Sequence, residues 1–216
     1  MKMIKNKLSL FYYNFIKFPK YILFHPFDGY DDFKRNKKAK TSIAILFIFL
    51  FALFRIVQFY YQSMLVNDVN KLELNSLREI LLVGVIVFLF TIGNWAVTTL
   101  MEGKGSYKEI FQVTGYSLFP IVVIGIPMVF LSNVFTSEEI AIYNLIIGIA
   151  YVATGWMLFM GILNIHEYGL FKTIWSLLLT ILAMAIMIFF AILFFSLIQE
   201  IISFFRVLWQ EISLRS

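Results

Sequence analysis

Residues Thr173–Ile198 read TIWSLLLTILAMAIMIFFAILFFSLI, twenty-six positions without a charge, and this stretch decides which solvent the chain lives in. At about 1.5 Å of rise per residue, about 20 apolar residues already cross the roughly 30 Å of a bilayer's hydrocarbon core. The run is too long and too evenly apolar to be the amphipathic helix of a soluble domain. Working back toward the N-terminus, four more segments have the same character: Ile140–Ile165, Val113–Phe135, Ile80–Met101 and Ser42–Tyr61. The connections Gln62–Glu79, Glu102–Gln112, Thr136–Glu139 and His166–Lys172 are too short to hold a soluble domain.

The expected fold is therefore all-α: an integral membrane bundle of five transmembrane helices over residues 42–198. A basic, aromatic interfacial arm (1–41) precedes it and a C-terminal amphipathic helix (199–216) follows. Composition agrees, since 61% hydrophobic and only 14% charged residues in a chain of 216 cannot clothe a water-exposed surface. The absence of cysteine excludes disulfides, thiolate metal sites and thiol nucleophiles.

Charge gives the orientation. Ten of the eighteen Lys and Arg lie between Lys2 and Lys40, ahead of the first span. With the N-terminus in the cytoplasm, Lys104, Lys108 and Lys172 join them, while Lys71, Arg78, Arg206 and Arg215 fall outside. The chain is thus expected in the cell membrane with its C-terminus extracellular. The net charge of +5 reads as a topology signal, and no nucleic-acid partner is expected. The start of the chain superficially resembles a signal peptide, but Lys17, Pro19 and Lys20 interrupt it and no small-residue cleavage site follows, so it reads as retained.

In the arm, aromatic residues from Phe11 to Phe33 alternate with lysines, a pattern suited to the headgroup layer. His25, Pro26 and Asp28 mark a helix start there; with Asp31 and Asp32 they could be imagined as metal ligands, but a capped amphipathic turn is the better reading. After the last span, Gln199, Ser203, Arg206 and Gln210 recur on one narrow stripe, so this piece either prolongs the fifth span or bends onto the surface.

Polar residues inside spans mark helix contacts or function. Arg55 is the one full charge well inside a span, within reach of the outer headgroups or of Glu79; a charge on a substrate path is the other reading. Asn94, Thr98 and Glu102 follow i, i+4, i+8, which would put them on one helical face. Lys104, Tyr116, Asn164 and His166 are expected at a similar depth, forming an interhelical hydrogen-bond network or else a binding or docking site. Pro120 and Pro127 should bend the third span. Catalytic templates fail: Leu170 stands where a zinc-protease pattern beginning His166-Glu167 needs its second His, and Gly103-Lys104-Gly105-Ser106 lacks the Walker glycine upstream. No catalytic residue, cofactor or metal is expected.

Three runs carry a resemblance: Phe24-His25-Pro26-Phe27-Asp28-Gly29-Tyr30, then Gly93-Asn94-Trp95 through Glu102-Gly103-Lys104-Gly105, then Thr114-Gly115-Tyr116-Ser117-Leu118-Phe119-Pro120. In this order, with a loop carrying Glu138-Glu139 and a span ending at His166, the chain resembles the Yip1 domain family in its bacterial branch over roughly residues 20 to 200. The resemblance implies a five-helix, non-enzymatic membrane protein with a cytoplasmic N-terminus. Eukaryotic members bind Rab GTPases in vesicle trafficking, whereas bacterial relatives often sit beside genes for sugar-uptake ABC transporters. The Lys-, Ile- and Phe-rich composition suits a low-GC bacterium. The leading expectation is a scaffold or accessory subunit that packs against another membrane complex, such as an ABC-type sugar importer, using its spans and its cytoplasmic arm, with small residues such as Gly148 and Gly155 on one face of the fourth span. The alternative is a small transporter, channel or lipid-binding protein in which Glu102 titrates or coordinates, with His166 beside it.

Overall fold

The computed structural model describes residues 9–63 and 75–215, with the side chains of the last two of these left aside. Lys2, Lys5, Lys7 and Lys71, used above for orientation, lie outside the described residues. Every regular element among those described is helical. After a short wide turn at Tyr13–Lys17, the arm forms α1 (Phe18–Phe24) and α2 (Pro26–Lys34). The spans follow as α3 (Thr41–Tyr61), α4 (Ser76–Leu100), α5 and α6 (Tyr107–Ser117 and Phe119–Leu131, together one crossing), α7 (Ile140–His166) and α8 (Leu170–Arg215).

The third crossing begins at Tyr107, six residues ahead of the expected Val113. Ser106 and Glu109 explain the difference: the Ser106 hydroxyl accepts from Glu109 N–H at 3.4 Å, and the Glu109 carboxylate accepts from Ser106 N–H at 2.8 Å. This reciprocal cap starts the helix while the residues are still polar. The crossing is interrupted at Leu118 because Pro120 has no N–H to continue the ladder, yet α6 runs through Pro127 without ending. This broken helix is the centre of the bundle: 67% of its apolar window is buried, against 28 to 33% for α3, α4 and α7.

Around it α3 and α7 close the main core, and the arm enters that core as well. Phe18, Ile22, Tyr30 and Phe33 are fully buried with Phe47, Ile110, Tyr116 and Ile162. The arm is therefore part of the packed fold at one end of the bundle, while Phe11, Tyr12, Phe24 and Phe27 stay exposed as a headgroup layer would require. Tyr116 is the hub: the rings of Phe18, Phe33 and Phe47 meet it edge-on at 5.4 to 6.0 Å. Beside it Gly115 lets two helices touch, since a Cβ there would stand 2.7 Å from the Ala44 backbone.

The last helix departs most from ordinary proportions. Neither glycine nor proline interrupts Leu170–Arg215, and the segment after Ile198 continues the fifth span as one unbroken helix. Its 46 residues extend about 69 Å at the standard rise, more than twice the hydrocarbon thickness. Only 6% of its apolar window is buried.

Candidate functional site at the arm end of the bundle

Two helices end here in the same way. α4 stops at Leu100 and α7 at His166, each followed within two residues by a glutamate in the left-handed region, Glu102 at φ 58° and Glu167 at φ 56°. Gly103 N–H then donates back to Thr98 O at 2.7 Å, and Tyr168 N–H to Leu163 O at 3.0 Å. These are the five-residue return bonds of a Schellman end. Glu102 thus leaves the helix before it can share a face with Asn94 and Thr98, and it is exposed. The i, i+4, i+8 expectation holds for Asn94 and Thr98 only.

The two ends are tied to each other and to the arm. Lys104 Nζ donates to Glu167 Oε2 at 2.6 Å, and Lys34 Nζ, from α2, donates to Glu167 Oε1 at 2.9 Å and to Ile165 O at 2.9 Å. The Lys104 bond first, then the Lys34 bond, hold the Glu167 carboxyl down to about 2. Tyr168 turns under this clasp, its hydroxyl 3.2 Å from both Thr98 O and Met101 O at the end of α4. Burial raises the Tyr168 phenol, the nearby Glu102 charge adding to it, and Lys172 Nζ sits 4.5 Å from its ring centroid. On α2, Tyr30 donates to Met157 O at 2.7 Å, and burial raises its phenol too. Nearby, Lys38 holds the Asp32 carboxyl below its ordinary value, with Asn36 assisting.

His166 is enclosed, 1% exposed, and stacks on Tyr168 at 5.3 Å. Its Nδ1 accepts from Gly105 N–H at 3.2 Å, which puts the proton of the neutral ring on Nε2; that atom has no partner among the described residues. Gly103 and Gly105 are required by this ring: a Cβ on the first would run into His166 and the Tyr168 hydroxyl, and on the second into the imidazole edge.

The remaining expected residues go elsewhere. Asn94, fully buried, donates to Thr180 Oγ1 at 3.0 Å across α4 and α8, and its Oδ1 is unpartnered among the described residues. Thr98 donates to Asn94 O at 2.6 Å. Tyr116 faces the arm and accepts from Lys40 N–H at 3.1 Å. Asn164 bonds its own helix at Met160 O, 2.7 Å. Beside Asn164 a small cleft of about 120 Å³ opens among Tyr30, Lys34, Arg35 and Glu167. His25 stacks on Tyr21 at 5.3 Å, Pro26 opens α2, and Asp28 is exposed in its first turn. Far from this end, Arg55 Nε lies 3.7 Å from Glu79 Oε2.

Sequence reasoning missed Lys34, Glu167, Tyr168 and the buried seam Thr173, Ser176 and Thr180. The seam had a signal, since its 3 and 4 spacing puts three small hydroxyl residues on one face of an otherwise apolar helix.

Five apolar helices, a packed arm and a hydrogen-bonded end where two crossings and the arm are clasped define a multi-pass helical membrane protein. The Yip1 domain matches residues 20–209, so the chain belongs to the Yip1 domain family, and the matched region takes in most of α1, all of α2 and most of the extension beyond Ile198. No curated protein and no solved structure matches the chain.

Proposed function

We propose that this protein is a non-enzymatic scaffold or accessory subunit that binds another membrane protein through α8. The observation that carries the reading is the last helix: its most apolar stretch has a mean hydropathy of 3.0, the highest of any span, with 6% of that stretch buried, and the helix runs on well beyond it. Phe194, Phe195, Phe204, Phe205 and Trp209 are all exposed along it. Bilayer hydrocarbon accounts for about 20 residues of such a surface, and the apolar face beyond it, with Phe204, Phe205 and Trp209, is left for another cover. The partner class is a bacterial ABC-type sugar importer, whose permease helices would supply that cover. The protein sits in the cell membrane with the clasped arm in the cytoplasm and the C-terminus outside, supported by the basic excess of the arm end.

The rival reading, a transporter, channel or lipid binder working through the polar residues of the arm end, loses its central group with Glu102 exposed and outside the helix. Purification of the full chain from native membranes in mild detergent, followed by mass spectrometry, tests the proposal. A stoichiometric permease is the expected companion; a monodisperse protein without one contradicts the proposal. Because the chain has no cysteine, Lys37→Cys and Ser203→Cys report orientation with an impermeant maleimide. Labelling of intact cells is expected at 203 and not at 37.

A further inference from the structure

Between α3, α4 and the central crossing the bundle is not closed. One cavity of about 240 Å³ lies among Ile45, Ile48, Gly84, Phe88, Tyr107 and Phe111. A second, about 210 Å³, continues from it past the shared Val87 toward Ile86, Leu118, Leu158 and Met184. Each exceeds the roughly 150 Å³ apolar cavity that is enough to take up benzene.

The walls are hydrocarbon almost throughout. Of the three hydroxyl residues in the second cavity, Thr114 bonds Ile110 O at 2.9 Å and Ser117 bonds Thr114 O at 2.7 Å, each on its own helix. Thr154, whose hydroxyl has no partner among the described residues, can turn to the carbonyl one turn back as helical threonines do. Nothing in the lining asks for a polar ligand. Gly84 leaves the opening, since a Cβ there would meet no atom within 4 Å.

One end of the cleft carries the marks of the headgroup layer. Tyr107 lines it and meets the half-exposed Trp95 edge-on at 6.3 Å, the placement aromatic rings take at a membrane surface. The next residue, Lys108, is exposed and has no acidic partner at ion-pair distance among the described residues. A lysine one residue along the helix from Tyr107, and an apolar cleft that Tyr107 lines, match the layout of a lipid, an anionic head followed by a tail.

We propose that this cleft is a binding site for one acyl chain of an anionic membrane glycerolipid, with Lys108 at its headgroup. Of α8 only Met184 reaches the cleft, and the site does not depend on the partner reading. The test uses the full chain in phosphatidylcholine vesicles with trace phosphatidylglycerol bearing a diazirine on its acyl chain. After irradiation, peptides carrying residues 84–88 and 107–111 should be labelled about fivefold above those carrying 189–195, which in these partner-free vesicles meet bulk lipid. Unlabelled phosphatidylglycerol should compete for the cleft and phosphatidylcholine should not. Gly84→Leu fills the first cavity, and Ile86→Trp, at an exposed position, fills the second; each should lower cleft labelling toward the bulk level, with helix content by circular dichroism confirming the fold. Equal labelling of cleft and α8, or labelling unchanged in both variants, overturns the proposal. Equal competition by the two lipids removes the anionic headgroup, and a cross-link to a second copy of the chain at the cleft gives the site to protein instead.

Discussion

The central crossing, α5 with α6, and the last helix α8 are both apolar and both long enough to span, yet one has 67% of its window buried and the other 6%. Their sequences differ in the way this requires. The central crossing carries Gly115, Ser117, Pro120, Gly125 and Pro127, residues that let neighbours approach or break the ladder, and it meets the arm, α3, α4 and α7. In a bilayer, burial brings no gain from escaping water, so tight packing must come from small residues and shape. The last helix has neither glycine nor proline, and beyond its Thr173, Ser176 and Thr180 seam it presents large side chains outward. Such a helix leaves its surface to lipid or, under the proposal above, to a partner.

Substitutions that treat the two regions alike should have opposite outcomes. The largest effect is expected at Gly115→Leu, where the side chain must push α3 and α5 apart at the backbone. A loss of about 3 kcal/mol or more is expected in thermal or denaturant unfolding in detergent. Gly148→Leu, on an open face of α7, should stay within about 0.5 kcal/mol. Next in size, Tyr116→Phe removes the acceptor for Lys40 N–H and should cost about 1 kcal/mol, with earlier exchange of arm amides. Asn94→Leu breaks the one side-chain bond found between α4 and α8 among the described residues, and about 1 kcal/mol is expected in the same assay.

The smallest effects concern the clasp. Its carboxyl, lowered to about 2 from an unfolded value near 4.3, contributes fully above that unfolded value and is lost as pH falls from there through about 2. Hydrogen exchange of α2, corrected for intrinsic rates, should therefore be flat from pH 8 to pH 5 with respect to this group. Glu167→Gln should speed exchange across α2 at pH 7, where Lys34 keeps only the Ile165 carbonyl, while Glu102→Gln should leave it unchanged.

The spans were legible because hydropathy and length suffice in a bilayer, and Glu79 was one of the placements the sequence left open for Arg55, the one the structure shows. The start of the central crossing was legible in principle through Ser106-x-x-Glu109, but the polar residues before Val113 hid it from a hydropathy reading. The candidate site was read less well. Helical periodicity predicts a shared face only while the helix lasts, and nothing in Thr99-Leu100-Met101-Glu102 announces a left-handed turn at a glutamate in place of the usual glycine. The arm's lysines looked alike in sequence; only packing against α7 singles out Lys34, and only the fold brings Lys104 to the same carboxylate. The path of residues 199–215 was open in sequence between bending and continuing, and the uninterrupted ladder of α8 decides for continuing.

The most direct test of the contrast places a photoactivatable phenylalanine analogue at Phe195 on α8 and, as a control, at the buried Phe47, in cells carrying the native membrane. Cross-linking at Phe195 to one discrete membrane protein, with adducts at 47 confined to the chain itself, is what the account predicts. Adducts to lipid alone at Phe195, with no protein partner, would contradict it.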